Sequence, residues 1–275
     1  MPKFVLSGQG KGWAKGRTAA TDPRVARNAA RRRGMTYRRH RPPEQDRRYR
    51  HGSARTLPLE WSDMMAYVVG LMATDGNLSK DGRHLAFDSG DLQLIHTFLS
   101  CLGHPYAHTR SKQGELGGIG YQAAFSDVRF HRWLRGIGLM PRKSLVLGGI
   151  DVPDAHLPSL LRGLFEGDGH VQNFVHRPTP STYPDYEYER LWVFFNSASR
   201  PHLQWIKSRV ETLLGLRGYI ERLKTKPGRH HFFRLKYGKH GSIALLRTMY
   251  PSATVPKLER KWKIWDDYAR RNLLN

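Results

Sequence analysis

One duplicated segment restricts how this chain can fold more than anything else in it. Ala66-Tyr67-Val68-Val69-Gly70-Leu71-Met72-Ala73-Thr74-Asp75-Gly76 aligns without a gap on Ser159-Leu160-Leu161-Arg162-Gly163-Leu164-Phe165-Glu166-Gly167-Asp168-Gly169. Small residues recur four apart in both copies, at Ala66, Gly70 and Thr74 and at Ser159, Gly163 and Gly167. On a helix that spacing makes one narrow stripe almost free of side chains. A glycine inside a helix costs roughly 1 kcal/mol against alanine, so its presence at the same place in both copies marks a position where backbone must fit. The partner expected for each stripe is the other. Crossing stripe to stripe brings Asp75 and Asp168 together, and Gly76 and Gly169 are expected to end the helices in the left-handed conformation. Two carboxylates there are electrostatically unfavourable, because a helix C-terminus already carries partial negative charge. A divalent cation relieves this, so both aspartates are read as oxygen ligands for Mg²⁺.

Charge points the same way. The 275 residues hold 46 Lys and Arg against 23 Asp and Glu, a formal net charge of +23, which calls for a polyanionic partner, nucleic acid before a membrane surface. No apolar run approaches a bilayer span and Phe4-Val5-Leu6 is too short for a signal-peptide core, so a soluble, intracellular, DNA-associated protein with no membrane partner is expected. Cys101 is the only cysteine, which excludes an internal disulfide or a zinc cluster. It falls in an apolar helical pattern and reads as a buried, inert thiol.

The excess charge is uneven. Residues 1–55 carry sixteen Lys and Arg against three acids, and they read as a basic, flexible N-terminal DNA-binding arm. Gly8 to Gly16 is expected to be flexible and Arg38 to Arg50 extended. Between them Thr21-Asp22-Pro23 opens a helix that carries Arg24, Arg27 and Arg31, which grip phosphate by releasing counterions. A plain solubilising arm is the alternative.

Beyond Leu57-Pro58, residues 56–150 read as helix, two strands, helix, two strands, helix, and residues 151–275 repeat that order before a last amphipathic helix, Lys257 to Leu273. Asp81-Gly82 marks the first hairpin. Strands alternate their faces. In Tyr219 to Lys226 one face takes Arg222, Lys224 and Lys226; in Phe232 to Tyr237 one takes Arg234 and Lys236, and the other Phe233, Leu235 and Tyr237. These cationic residues are expected to share an exposed side that enters the major groove, as His108, Arg110 and Lys112 do in the first half.

Val68 to Gly76 and Leu161 to Gly169 resemble the two nine-residue signatures of the LAGLIDADG homing endonucleases in their single-chain form. The likeness covers roughly residues 57–273; it departs at the sixth signature position, Ala73 and Glu166, and at Thr74 in the seventh. It implies an α+β fold of two tandem αββαββα repeats, whose pseudo-symmetric antiparallel sheets form a DNA-binding saddle. It further implies a monomer that cuts both strands of a long asymmetric DNA site, with Mg²⁺ or another divalent cation such as Mn²⁺, as an intron-borne mobile element. Asp75 and Asp168 would bind the metal, and Lys143 and Lys261 would stand around the attacking water. Ser89 and Ser197 match places where the family puts polar groups that touch metal-bound water. Glu166, two positions from Asp168 on a helix, points elsewhere and is expected to make a structural hydrogen bond. From another class, a nucleic-acid binder without cleavage, either an intron RNA maturase or a DNA-binding regulator, remains open on the same scaffold. Two carboxylates in a basic groove favour cutting, since they repel phosphate unless a cation intervenes.

Overall fold

The computed structural model describes residues 18, 20–32, 57, 59–104, 107–113, 118–177, 187–225, 228 and 230–273. The stretches 8–16 and 38–50 and Lys226 lie outside the described residues, and Arg31 and Lys112 are placed by their backbones alone. The chain divides into two units, Met1–Ala54 and Arg55–Asn275. In the first, helix α1 spans Pro23–Arg32. Asp22 Oδ1 accepts from the Arg24 N–H at 2.8 Å, and Pro23, the first helical residue, has no N–H left to satisfy. Arg24 and Arg27 are exposed.

The second unit is a doubled α+β fold. Helix α2 (Asp63–Thr74) is opened by Ser62, whose Oγ accepts from Met65 N at 3.2 Å. Strands β1 (Gly76–Leu78) and β2 (His84–Ser89) follow, then α3 (Leu92–Leu102), β3 (His108–Gln113), β4 (Ile119–Ser126) and α4 (Val128–Gly136). The second half runs α5 (Leu157–Gly167), β5 (His170–His176), β6 (Tyr188–Ser197), α6 (Arg200–Leu214), β7 (Tyr219–Leu223), β8 (Phe232–Tyr237) and α7 (Lys239–Met249), with α8 (Glu259–Arg271) last. A 3-10 turn over Asp154–His156 leads into α5, which becomes α-helical at Leu157.

The strands make two antiparallel four-stranded sheets, ordered β1-β2-β4-β3 and β5-β6-β8-β7. The first hairpin turns where Gly82 has φ +76° and Asp81 Oδ1 accepts from the backbones of Arg83 and His84 at 3.0 and 3.1 Å, a side-chain turn that favours this sequence. Alternate strand residues Leu85, Phe87, Ala123 and Phe125, and in the second sheet Leu191, Val193, Phe195, Leu235 and Tyr237, are buried in one continuous core with both motif helices. Leu258, Trp265 and Tyr268 are buried and dock α8 on that core. Cys101 is only partly buried, and burial pushes its thiol up to about 11, which keeps it protonated and unreactive.

Candidate metal centre and nucleic-acid interface

The stripes of α2 and α5 meet backbone to backbone. A methyl group on Gly70 would lie 2.8 Å from Gly163 Cα, and one on Gly163 would lie 2.9 Å from Gly70 Cα. At the next step of the stripe the Thr74 side chain fills the space over Gly167, and its hydroxyl donates to Leu71 O at 2.9 Å. The crossing therefore carries the two helix ends to one place. Asp75 caps α2, its N–H reaching Leu71 O at 3.2 Å, and Asp168 caps α5. Both line a single cavity of about 240 Å³, with Thr74, Ser144, Asn196, Ser197 and His202.

The expectation for Gly76 and Gly169 is corrected. Neither has a positive φ. They are required because a side chain would run into the preceding helical turn, 2.5 Å from Met72 Cα for Gly76 and 2.6 Å from Phe165 Cα for Gly169.

Burial pushes the Asp75 carboxyl up to about 6, the Asp168 charge adds to the rise, and Lys143 and Lys261 oppose it. Burial also raises Asp168. Two neighbouring carboxylates at two helix C-termini, with the Asp168 charge opposing ionisation of Asp75, form a donor set suited to a hard divalent ion. Among the described residues no group of three or more His, Cys, Asp or Glu is placed to hold a metal. The rest of such a shell falls to water and substrate oxygens, an arrangement Mg²⁺ tolerates well.

The two lysines do not stand free around a reacting water. Both are almost fully buried, 6% and 4% exposed. Lys143 donates to Gly76 O, and Lys261 Nζ reaches the carbonyls of Phe165, Glu166, Gly167 and Gly169 at 2.8, 2.9, 3.2 and 2.6 Å. Lys261 thus satisfies orphan carbonyls in the last turn of α5, Lys143 holds a carbonyl just past the end of α2, and each sets positive charge against the macrodipole. Burial lowers both ammonium groups to about 8.

Ser89 and Ser197 stand two residues before the N-caps of the helices that follow and accept from Asp91 N and Ser199 N at 3.0 Å each. The polar groups at the strand ends that face away from the helices are one residue earlier. Asp88 N donates to Asp75 O at 3.2 Å, and the Asp88 carboxylate accepts from Gln122 Nε2 at 2.9 Å. In the second repeat Asn196 Nδ2 donates to Asp168 O at 2.8 Å while its Oδ1 accepts from Arg234 Nε at 3.3 Å. Sequence reasoning missed this pair. Strand parity carried the signal, since Ser89 shares its face with buried Phe87 and Leu85. Glu166 is structural as expected: Tyr67 OH and Tyr250 OH both donate to its carboxylate, the latter at 2.9 Å.

His108, Arg110 and Lys112 pair with Ala124, Gln122 and Gly120, on the face opposite the core. In the second sheet Arg234 and Lys236 pair across β6 with Asn196 and Phe194 and lie outward too. Arg222 does not join them. The register opposes it to Phe233 and puts Glu221 opposite Arg234, so Arg222 belongs to the helix side of an edge strand, where it is exposed and meets His231 at 2.8 Å. Lys224, expected to continue the Arg222 face, lies beyond the end of β7.

The sequence matches no family model and no curated protein. Solved structures do match. The homing endonuclease I-WcaI bound to its DNA recognition sequence is 14% identical over 80% of this chain and 93% of that chain, with a TM-score of 0.54. The meganuclease I-SmaMI bound to uncleavable DNA is 11% identical over 76% and 91%, with a TM-score of 0.51. The N-terminal LAGLIDADG domain of DUF199/WhiA is 16% identical over 75% and 89%, with a TM-score of 0.45. The fold is that of the single-chain LAGLIDADG homing endonucleases. Among the described residues no helix is long and apolar enough to cross a membrane.

Proposed function

We propose that this chain is a site-specific endonuclease that hydrolyses both strands of a long, asymmetric DNA site with Mg²⁺ or a similar ion such as Mn²⁺, acting as a monomer of the mobile-element type. The observation that carries this reading is the convergence of Asp75 and Asp168 on one cavity at the crossing of α2 and α5. Those two carboxylates would hold the metal. When bound, a divalent ion makes water nucleophilic near neutral pH and stabilises the leaving oxygen. Lys143 and Lys261 offset the partial negative charge of the helix ends, so a phosphate approaches a less repulsive site. Asn196 ties the backbone of Asp168 to Arg234, so the acid and the outward face keep a fixed relation. His108, Arg110, Lys112, Arg234 and Lys236 would meet the duplex, and Arg24, Arg27 and Arg31 of α1 would add sequence-independent, salt-sensitive affinity.

The test is selection of cleaved sequences from random duplex DNA with Mg²⁺, repeated with EDTA and with Asp75→Asn and Asp168→Asn. Cleavage of one site, lost in all three controls, is the expected result. One observation favours a second reading, a DNA regulator or an intron RNA maturase that binds without cutting: Lys261 shares its ammonium among four carbonyls and has no N–H left for a phosphate. Binding of duplex or intron RNA with no scission under any ion would establish that reading instead.

A further inference from the structure

The outward faces of the two sheets are built of different chemistry. By strand parity the first presents Asn77, His84, Ala86, Asp88, Gln122 and Ala124, with His108, Arg110 and Lys112 on its edge strand, and no described tryptophan or phenylalanine. The second presents Phe174, Trp192 and Phe194 interleaved with Arg190, Arg234 and Lys236. Each of those three cations lies over a ring. Lys236 Nζ is 3.4 Å from the centroid of Trp192, the Arg234 guanidinium is 4.6 Å from that of Phe194, and the Arg190 guanidinium is 5.4 Å from that of Trp192. The rings brace one another edge to face, Phe174 against Trp192 at 5.0 Å and Trp192 against Phe194 at 6.1 Å. Arg234 is held further by Asn196 and, at 3.8 Å, by Glu221. On the first sheet Arg110 donates to the His108 ring at 2.8 Å, and among the described residues no aromatic ring lies under its guanidinium.

Two uses of such a layer can be separated. An open aromatic platform stacks unpaired bases, but here cations cover the ring faces and Phe194 is 2% exposed. What the layer offers a partner is donors whose rotamers are already fixed, and orientation, unlike charge alone, is what distinguishes one base edge from another. Taking the DNA-site reading as its premise, we infer that the second sheet is the stringent reader of an unequal pair, with Trp192 and Phe194 as positioning residues that aim Lys236 and Arg234 at base edges. The half-site under the first sheet is read loosely.

The experiment uses the full chain and random duplexes in Ca²⁺, selected for binding. An iron–EDTA tether on Thr225→Cys, in a Cys101→Ser background, marks the half under the second sheet. Most of the selected information should lie in that half. Trp192→Leu should relax discrimination there about tenfold, the low end for one well-aligned contact, with the salt slope of affinity retained because no charge is lost. Trp192→Phe, which keeps a ring under Lys236, should restore it. Should Trp192→Leu not fold by circular dichroism, Lys236→Met leaves the rings packed and should relax the same positions. A wild-type chain that enriches no sequence sinks the DNA-site reading itself. A chain that enriches a site whose information lies mainly in the first half, or whose second half is indifferent to these variants, overturns this inference alone.

Discussion

Lys261 Nζ shares its N–H groups between Gly169 O, at 2.6 Å, and three carbonyls of the last turn of α5, whereas among the described residues Lys143 donates to Gly76 O only. Orphan carbonyls at a buried helix end must find donors, and removing the partner of a buried charged group is among the costlier single changes. Lys261→Met is expected to lower unfolding free energy by ~3 kcal/mol, and Lys143→Met by about half as much. Urea unfolding measures both. Equal losses would show that the number of capped carbonyls does not set the cost.

The acid pair makes metal-free stability depend on pH. Asp75 has a folded pKa of about 6 against 3.8 without its surroundings. Below about pH 4 the carboxyl is protonated in both states. Between there and about pH 6 the folded state binds the extra proton, so stability falls as pH rises, by ~3 kcal/mol in all. Above that range the penalty is complete, and Mg²⁺ should offset it by binding the folded state only. Thermal unfolding in EDTA across this range, compared with Asp75→Asn, isolates the effect. A wild-type curve parallel to the variant's would remove Asp75 as its source.

How much of this was legible beforehand depended on the length scale of each signal. The helix crossing was readable because small residues recur four apart in each copy, with Gly70 and Gly163 at the matching place, and such a stripe admits a facing backbone. The order of strands was readable from alternation and from Asp81-Gly82. Register was not. Pairing Tyr219 with Lys236, with no shift by one, sends Arg222 to the helix side and Glu221 to the outward side. The roles of Lys143 and Lys261 were hidden for a related reason. A lysine after a helix looks the same in sequence whether it reaches out toward phosphate or folds back onto carbonyls, and the choice rests on which helix end lies within its reach.

The close approach of α2 and α5 leaves no room for one carbon. Gly70→Ala and Gly163→Ala each place a methyl against the facing helix backbone, which cannot yield as a flexible side chain would. Each should cost ~3 kcal/mol or more, above the usual range for overpacking because two helices must separate along their length. Gly90→Ala meets nothing within 4 Å and should stay within about 0.5 kcal/mol of wild type. Denaturation midpoints of the three proteins decide it, and a tolerant Gly163→Ala would contradict the contact.

Glu166 couples the two repeats through the core rather than through the cavity that Asp75 and Asp168 line. It is 1% exposed, burial drives its carboxyl upward, and the hydroxyl of Tyr67, from the other repeat, does most to hold it down. A buried carboxylate with two hydroxyl donors is satisfied only while it accepts from both. Glu166→Gln keeps one acceptor and turns an amide N–H₂ toward a hydroxyl, so it should cost ~2 kcal/mol. Tyr67→Phe should cost a similar amount by leaving a carboxylate oxygen unpaired. Because the two changes break one shared bond, the double variant should be less destabilised than the sum of the singles by ~1 kcal/mol. A double-mutant cycle in urea measures that coupling directly; strict additivity would mean that the bond between the repeats contributes nothing to holding them in register.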